Sequence, residues 1–340
     1  MSSNNFFHIP RKKVKPALWN NWRWQMKNRL YSLQHLIDLV SPHERDRHDY
    51  EMLIRNFPFR ITPYYLSLID WTNPDDPVKQ MCLPSLKELQ SSAGYSIDPL
   101  KEYKHIPVPG LIHRYSDRAL ILANSSCAIH CRHCNRKRYW ANPPYSGSGK
   151  YLMPVIEYIK RHKKIREVIF SGGDTLLLPN DLLNWLLKSI RRISHVDVIR
   201  IGTRLPVVLP MRVNGSLCRI LKNHRPLWIN THFNHPVEIT DESEDACNRL
   251  LCTGIPMCNQ SVFLKGVNDS LDTMTNLCTG LQKIMVKPYY LFICERVTGT
   301  KHFYASIAKA KKIIRFLEKN IGGLCVPRLV KDTQKGKVLI

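Results

Sequence analysis

From about residue 118 onward the chain alternates between two apolar patterns. Short runs rich in β-branched residues occur at Ala119–Ala123, Val168–Phe170, Val196–Ile201, Leu227–Thr231, Pro256–Leu264 and Tyr289–Cys294. Longer stretches with helical spacing follow them, at about 151–162, 180–193, 210–222, 240–252, 270–285 and 303–319. A short continuous apolar run suits a strand covered on both faces, and a longer amphipathic stretch supplies the helix that covers it. Six such pairs in succession predict an α/β fold with a parallel sheet, either an open barrel or a doubly wound sheet.

Residues 1 to about 105 follow another pattern. Trp19, Trp22 and Met26, then Leu30, Leu33, Leu36 and Ile37, recur at helical spacing and predict a stripe that packs into a core. Ser41-Pro-His-Glu44 has the form of a capping box opening a second helix. Pro74 to Pro77, with two aspartates between them, breaks the chain again. The expected organisation is therefore a helical region over 1–105, a repeating core over 106–326 and a C-terminal segment over 327–340.

In parallel sheets of this kind, active sites lie at the C-terminal ends of the strands. The polar features of the sequence fall there. A cysteine-rich loop follows the first strand, and Ser171-Gly-Gly-Asp174 the second. Gly202-Thr-Arg204 follows the third and His232-Phe-Asn-His235 the fourth. Asn259-Gln260 lies within the fifth, and Glu295 closes the sixth. Each alone could be a turn or a satisfied polar group; six at one rim point to a site.

The cysteine loop is Cys127-Ala-Ile-His-Cys131-Arg-His-Cys134. Thiolates are soft ligands that select iron–sulfur clusters, zinc or Cu(I). Three cysteines on a four-iron cubane leave one iron without a protein ligand, and an open position signals chemistry. The alternative is a structural zinc site with His130 or His133 as fourth ligand, but no second CxxC unit accompanies it. The chain has eleven cysteines, and its polar, basic start from Met1 to Lys15 has no secretory h-region. A reducing compartment, the cytoplasm, is expected, with the other eight cysteines serving mostly as small buried residues. No apolar run approaches a membrane span, so no membrane partner is expected. The formal charge of +24 is spread along the chain. Its densest clusters, Arg11–Lys15 and Lys160–Arg166, lack interleaved aromatics, so a nucleic-acid partner is not expected.

The CxxxCxxC spacing resembles the signature of radical S-adenosylmethionine (radical SAM) enzymes. The wider sequence resembles the lysine 2,3-aminomutase family, which also uses pyridoxal phosphate (PLP). The likeness is greatest to the short bacterial branch that serves β-lysylation of elongation factor P. It is carried by Ile61-Thr-Pro-Tyr-Tyr-Leu-Ser-Leu-Ile-Asp70, His113-Arg-Tyr-Ser-Asp-Arg118, the cysteine loop, Phe170-Ser-Gly-Gly-Asp174, Ile201-Gly-Thr-Arg-Leu-Pro206, Thr231-His-Phe-Asn-His-Pro236, Asn259-Gln-Ser261 and Pro327-Arg-Leu-Val-Lys-Asp332.

The resemblance implies a partial (β/α)6 barrel of the radical SAM type. It implies a 4Fe–4S cluster on Cys127, Cys131 and Cys134. Ser171, Gly172, Gly173, Asp174, His232 and Gln260 match contacts to S-adenosylmethionine. Arg114, Tyr115 and Arg118 match the grip on the PLP phosphate, and Arg136 the partner of the substrate α-carboxylate. Glu295 and Asp332 match two acids that hold the far ammonium of L-lysine, with Glu where aspartate is usual. In the slightly shortened tail, Lys337 matches the PLP lysine and Lys335 competes with it. The implied activity is isomerisation of L-lysine to β-lysine. The implied partners are a one-electron reductant such as flavodoxin or ferredoxin and an elongation factor P lysyl ligase. Moving an amine from Cα to Cβ breaks an unactivated C–H bond, which acid–base groups cannot do and cofactors must. The alternatives are a radical SAM enzyme acting on another amino acid or on RNA, and an iron–sulfur sensor.

Overall fold

A computed structural model describes residues 14–40, 46–91, 93–144 and 147–340. Nine strands form one sheet in sequence order. They are β1 (Leu111–Tyr115), β2 (Arg118–Asn124), β3 (Glu167–Gly172), β4 (Val198–Gly202), β5 (Leu227–Thr231), β6 (Met257–Phe263), β7 (Lys287–Ile293), β8 (Arg328–Thr333) and β9 (Gly336–Leu339). β2 to β8 run parallel, while β1 and β9 flank them antiparallel. Crossover helices Gly149–Arg161, Asn180–Arg191, Gly215–Lys222, Asp241–Leu251, Leu271–Lys283 and Ile307–Asn320 cover the outer face. Five of the six begin at a side-chain cap, from Ser148, Asn214, Thr240, Ser270 and Ser306. Each cap accepts a backbone N–H that the first turn would otherwise leave unpaired.

The strand periodicity separates two environments. Val168 and Phe170 on β3, and Ile199 and Ile201 on β4, are fully buried. Their alternating neighbours Glu167, Ile169, Ser171, Val198, Arg200 and Gly202 are only partly buried. Period-two alternation thus gives a dry outer face under the helices and a more open inner face. The two sheet edges meet through side chains. Arg114 on β1 donates to Asp332 Oδ1 at 2.7 Å and to the Thr333 carbonyl at 3.1 Å. The Lys337 N–H donates to Tyr115 Oη at 3.0 Å. The sheet is a nearly closed barrel, as expected for the radical SAM type.

All six strands expected from the apolar runs are present. β1, β8 and β9 were not expected. Arg328-Leu-Val-Lys-Asp-Thr333 carries only two apolar residues, both buried, and its pairing partner lies one crossover away. In the N-terminal region the helical stripe is divided into Pro16–Trp19, Trp22–Lys27 and Leu33–Val40. Asn21 caps the second of these, and Leu30 forms an isolated bridge with Ile61. Trp19, Leu30 and Leu36 are nonetheless buried as core. The break at Pro74–Pro77 is a turn in which Asp76 caps the helix Pro77–Cys82. The Ser41–Glu44 capping box lies outside the described residues.

The N-terminal region clamps the cysteine loop. The His130 N–H donates to the Arg60 carbonyl at 2.9 Å and the Arg132 N–H to the Met81 carbonyl at 2.8 Å. Arg29 donates to the Cys127 carbonyl at 2.8 Å. The Arg132 side chain, wholly buried, binds Glu88 through Nε at 2.9 Å and Nη2 at 2.7 Å. It also donates to the carbonyls of Phe57 and Pro58, both at 3.0 Å. Lys137 adds a third contact to Glu88 at 2.6 Å.

Burial raises the Glu88 carboxyl, but Arg132 and Lys137 outweigh it and bring it below the usual range. Removing one member of a buried charge set strands the others, at about 3–5 kcal/mol. Glu88→Ala is therefore expected to lower the unfolding free energy by about that amount in urea titration. The control Glu51→Ala, which breaks the exposed Arg47–Glu51 pair at 3.7 Å, is expected to cost no more than about 0.5 kcal/mol. Equal midpoints for the two variants would show that the buried cluster does not hold the loop.

Candidate active site

The site is built from the C-terminal ends of the strands and from the tail. Cys127, Cys131 and Cys134 follow β2. Arg204, after β4, donates from Nη1 to Cys131 Sγ at 2.7 Å, and the Arg136 N–H donates to Cys134 Sγ at 3.3 Å. Both contacts favour sulfur in its anionic form. Desolvation and the neighbouring thiols push Cys127 well up, and desolvation and Cys131 push Cys134 up to about 11. A metal cation reverses such a shift, because a coordinated thiol is deprotonated. The other Arg204 donors reach the His232 carbonyl at 3.1 Å, Tyr65 Oη at 3.1 Å and Glu238 at 2.5 Å.

Of the candidate zinc ligands, His130 is engaged through Nδ1 and His133 through Nε2, while His133 Nδ1 is buried without a hydrogen-bond partner. His130 Nδ1 lies 3.0 Å from the Pro58 carbonyl, and its ring stacks on Trp140. His133 Nε2 lies 3.2 Å from Asn234 Nδ2 and 3.4 Å from His232 Nε2. Among the described residues, no three His, Cys, Asp or Glu side chains converge on one ion-sized point. Desolvation and Arg204 hold His232 neutral, with its pKa down at about 3.

The Ser171–Asp174 turn shows why its glycines are required. Gly172 has φ +117°, and a Cβ there would meet the Asn124 carbonyl oxygen at 2.4 Å. A Cβ on Gly173 would lie 2.2 Å from the Ser126 carbonyl oxygen. The close approach is backbone to backbone, fastening β3 to the start of the cysteine loop. The Gly173 N–H donates to the Asn124 carbonyl at 2.6 Å and that of Asp174 to the Ser126 carbonyl at 2.7 Å. The Asp174 carboxylate accepts from Thr203 Oγ1 at 2.7 Å and from the Arg204 N–H at 2.8 Å, tying β3 to β4. Burial raises this carboxyl to about 6 against those bonds. Gln260 pairs with Tyr290 in the sheet, and its side chain makes no hydrogen bond among the described residues.

Across the seam from β1, the tail is a β-hairpin. Lys337 pairs in register with Asp332, while Lys335 sits exposed in the turn. Lys337 Nζ lies 4.0 Å from the Tyr290 ring centre and 4.7 Å from that of Phe292. Desolvation lowers its amine to about 8, aided by Arg200, Arg118 and Arg114 and opposed by Asp332. Arg114 holds Asp332 and Tyr115 Oη, the latter at 2.9 Å. Arg118 stacks 3.8 Å over the Tyr115 ring and pairs with Asp117 at 2.9 Å. Glu295 and Asp332 line a cavity of about 330 Å³ with Leu100, Cys294, Tyr304 and Gln334. Arg136 binds Glu102 at 2.7 and 3.1 Å, and its Nη1 lies 3.4 Å from Ser171 Oγ.

A profile of the Radical SAM superfamily matches residues 122–278. L-lysine 2,3-aminomutase of Acetoanaerobium sticklandii is 43% identical over 318 residues, covering 94% of this chain and 77% of that protein. The enzyme of the same name from Clostridium subterminale is 42% identical over 325 residues, covering 96% and 78%. The chain belongs to the lysine 2,3-aminomutase family of radical SAM enzymes. Glutamate 2,3-aminomutase of Clostridioides difficile is 38% identical over 318 residues, covering 94% and 75%. The chain is therefore an isomerase of the aminomutase class. Its family implies a 4Fe–4S cluster, S-adenosylmethionine and PLP.

The residues present fit these groups. Donors converge on the sulfurs, and a partly desolvated amine lies among three arginines, as an anionic aldehyde cofactor requires. In the sequence Arg204 stands at the rim without a role, although it is the side chain on Cys131. Glu102 carries no sequence signal, because a glutamate before a Pro-containing turn belongs to no motif. An amine-reactive reagent followed by peptide mass spectrometry should label Lys337 with a midpoint near pH 8. Because the folded-state amine is more acidic than a free lysine, this group adds stability as pH rises from about 8 towards 10.5. A labelling midpoint near that of a free lysine amine would show that the tail does not enclose Lys337.

Proposed function

We propose that the chain converts L-lysine to β-lysine by moving the amino group from Cα to Cβ, with PLP carried on Lys337. The observation that supports lysine over glutamate is the cavity holding Glu295 and Asp332. Arg296 and Lys331 border it too, but both are exposed at the rim. A substrate ammonium complements two carboxylates, whereas a glutamate side chain meets like charge at a cost of several kcal/mol. Burial and then Asp332 raise the Glu295 carboxyl to about 7, against Lys331 and Arg114. An ammonium relieves that repulsion.

The other residues take the following parts. Cys127, Cys131 and Cys134 would hold the cluster, leaving one iron for S-adenosylmethionine. When bound, the cluster and S-adenosylmethionine supply one-electron chemistry for an unactivated C–H bond, and PLP carries the amine. Ser171, Gly172, His232 and Gln260 would border S-adenosylmethionine, with Gly173 and Asp174 fixing the turn that presents them. Arg114, Tyr115 and Arg118 would take the PLP phosphate, whose oxygens match the guanidinium fork. Arg136 would hold the substrate α-carboxylate, so that ion pairs at both ends of lysine select which hydrogen is reached. The resemblance to the short branch supports delivery of β-lysine to an elongation factor P lysyl ligase. The chemistry needs a one-electron reductant, such as flavodoxin or ferredoxin. A cytoplasmic setting suits a chain with eleven cysteines, three of them at cluster spacing.

The test is anaerobic reconstitution with iron, sulfide and PLP, then S-adenosylmethionine and a reductant, with product analysis on L-lysine and on L-glutamate. β-Lysine from lysine and no product from glutamate is the expected result. Cys131→Ala should abolish cluster absorbance and activity together, and Lys337→Ala the PLP absorbance. Isomerase activity in a cluster-free variant, or PLP absorbance lost only in Lys335→Ala, would overturn the respective assignment.

The pH profile supplies a second check. Protonating Glu295 removes the charge that attracts the ammonium, so kcat/KM for lysine should fall as pH drops through about 7. Glu295→Gln should lose that limb and lower kcat/KM about 10–100-fold at pH 8, the worth of a charged hydrogen bond. An unchanged limb in Glu295→Gln would place the titrating group elsewhere.

A further inference from the structure

Arg136 enters this structure already held. Glu102 takes its Nε at 3.1 Å and one hydrogen of Nη2 at 2.7 Å, a bidentate grip on one edge of the guanidinium. A guanidinium has five N–H donors, so the edge formed by Nη1 and the second Nη2 hydrogen remains. Nη1 lies 3.4 Å from Ser171 Oγ, at the end of β3. Arg138 donates to the same Glu102 at 2.5 Å and lies 3.6 Å from Asp98. The four side chains form a balanced set of two acids and two bases. Glu102 opens a short 3-10 turn, Glu102–His105, and Lys101 just before it has a left-handed φ of 50°. A bulky residue in that conformation is maintained only where surrounding structure fixes it.

We propose that Glu102 is a positioning residue: it locks one edge of Arg136 so that the other faces the barrel mouth, pre-set for the α-carboxylate of an amino-acid substrate. The proposal rests on the role of Arg136 given above. Glu102 belongs to the segment before β1, so that segment takes part in substrate recognition without touching substrate. Without the glutamate, the Arg136 guanidinium can turn its whole fork to other acceptors, and the carboxylate has to re-orient it on binding. The effect falls on substrate binding, with the C–H chemistry left as it was.

The test uses the reconstituted holoenzyme. Glu102→Gln should raise KM for L-lysine by about tenfold or more while kcat stays within about threefold, the pattern of lost uniform binding. Inhibition by 1,5-diaminopentane, which is lysine without its carboxylate, should be unchanged. Glu102→Asp, which keeps the charge, should restore part of the affinity. Should Glu102→Gln fail to fold, the double variant with Arg138→Gln removes one charge of each sign and gives the same reading. Equal weakening of lysine and the diamine, or a loss in kcat alone, would overturn the proposal. Arg136→Gln separates the two levels. If it leaves KM unchanged, the carboxylate role of Arg136 fails and the proposal fails with it. If it raises KM and Glu102→Gln does not, only the role of Glu102 falls.

Discussion

A buried guanidinium between two cysteines is the constraint on which the rest of the site depends. Arg132 is wholly buried, and a charge there is tolerable only when every donor is paired. Its partners are Glu88 and the carbonyls of Phe57 and Pro58, all supplied by the N-terminal region. Cys131 adjoins this anchor and Cys134 lies two residues beyond it, so their backbone goes where Arg132 is satisfied. The short N-terminal helices thus do more than cover the barrel. They set the shape of the loop that carries the thiols, and Arg29 and Arg60 fasten it at Cys127 and His130.

The charges expected to meet ligands are paired with one another. Arg114, matched to a phosphate, holds Asp332, matched to an ammonium. Arg136, matched to a carboxylate, holds Glu102. Internal pairing removes much of the penalty of keeping four charges half out of water. A ligand group arriving at these positions then meets a side chain already paired within the protein, and no new protein charge is brought out of solvent. Glu295 is the exception: its carboxylate has no hydrogen-bond donor among the described residues, and burial beside Asp332 leaves it poised near neutrality. That asymmetry marks Glu295 as the carboxylate most in need of a cation.

Much of this was legible in the sequence, for a physical reason. A strand covered by helices on one face and lining a barrel on the other has to be apolar and short, so β2 to β7 announced themselves. Their polar ends followed from the rule that parallel strands present their C-termini to one rim. β8 and β9 were silent because Lys331, Asp332 and Lys337 interrupt the apolar pattern. Ser171-Gly-Gly-Asp174 was visible as a motif, yet its cause was not. The glycines admit neighbouring backbone at Asn124 and Ser126, a contact that spacing alone cannot reveal. Arg204 and Glu102 share that limitation, because their partners lie far away in sequence.

The hairpin register places the two tail lysines in different surroundings. Residues directly opposite in an antiparallel pair share a face, and a slip of one residue moves every side chain to the other face. Lys337 lies opposite Asp332, and Gly336 opposite Thr333, which leaves Gln334 and Lys335 as the turn. Gly336 has φ +127°, and a Cβ there would press on the Tyr115 ring at 3.2 Å. Tyr115 in turn accepts the Lys337 N–H. Glycine, tyrosine and register therefore fix one another, and together they deliver the Lys337 amine to Tyr290 and Phe292 inside the barrel. Lys335 can reach that position only if β9 re-pairs along β8, which would draw Gly336 and the Lys337 N–H away from Tyr115.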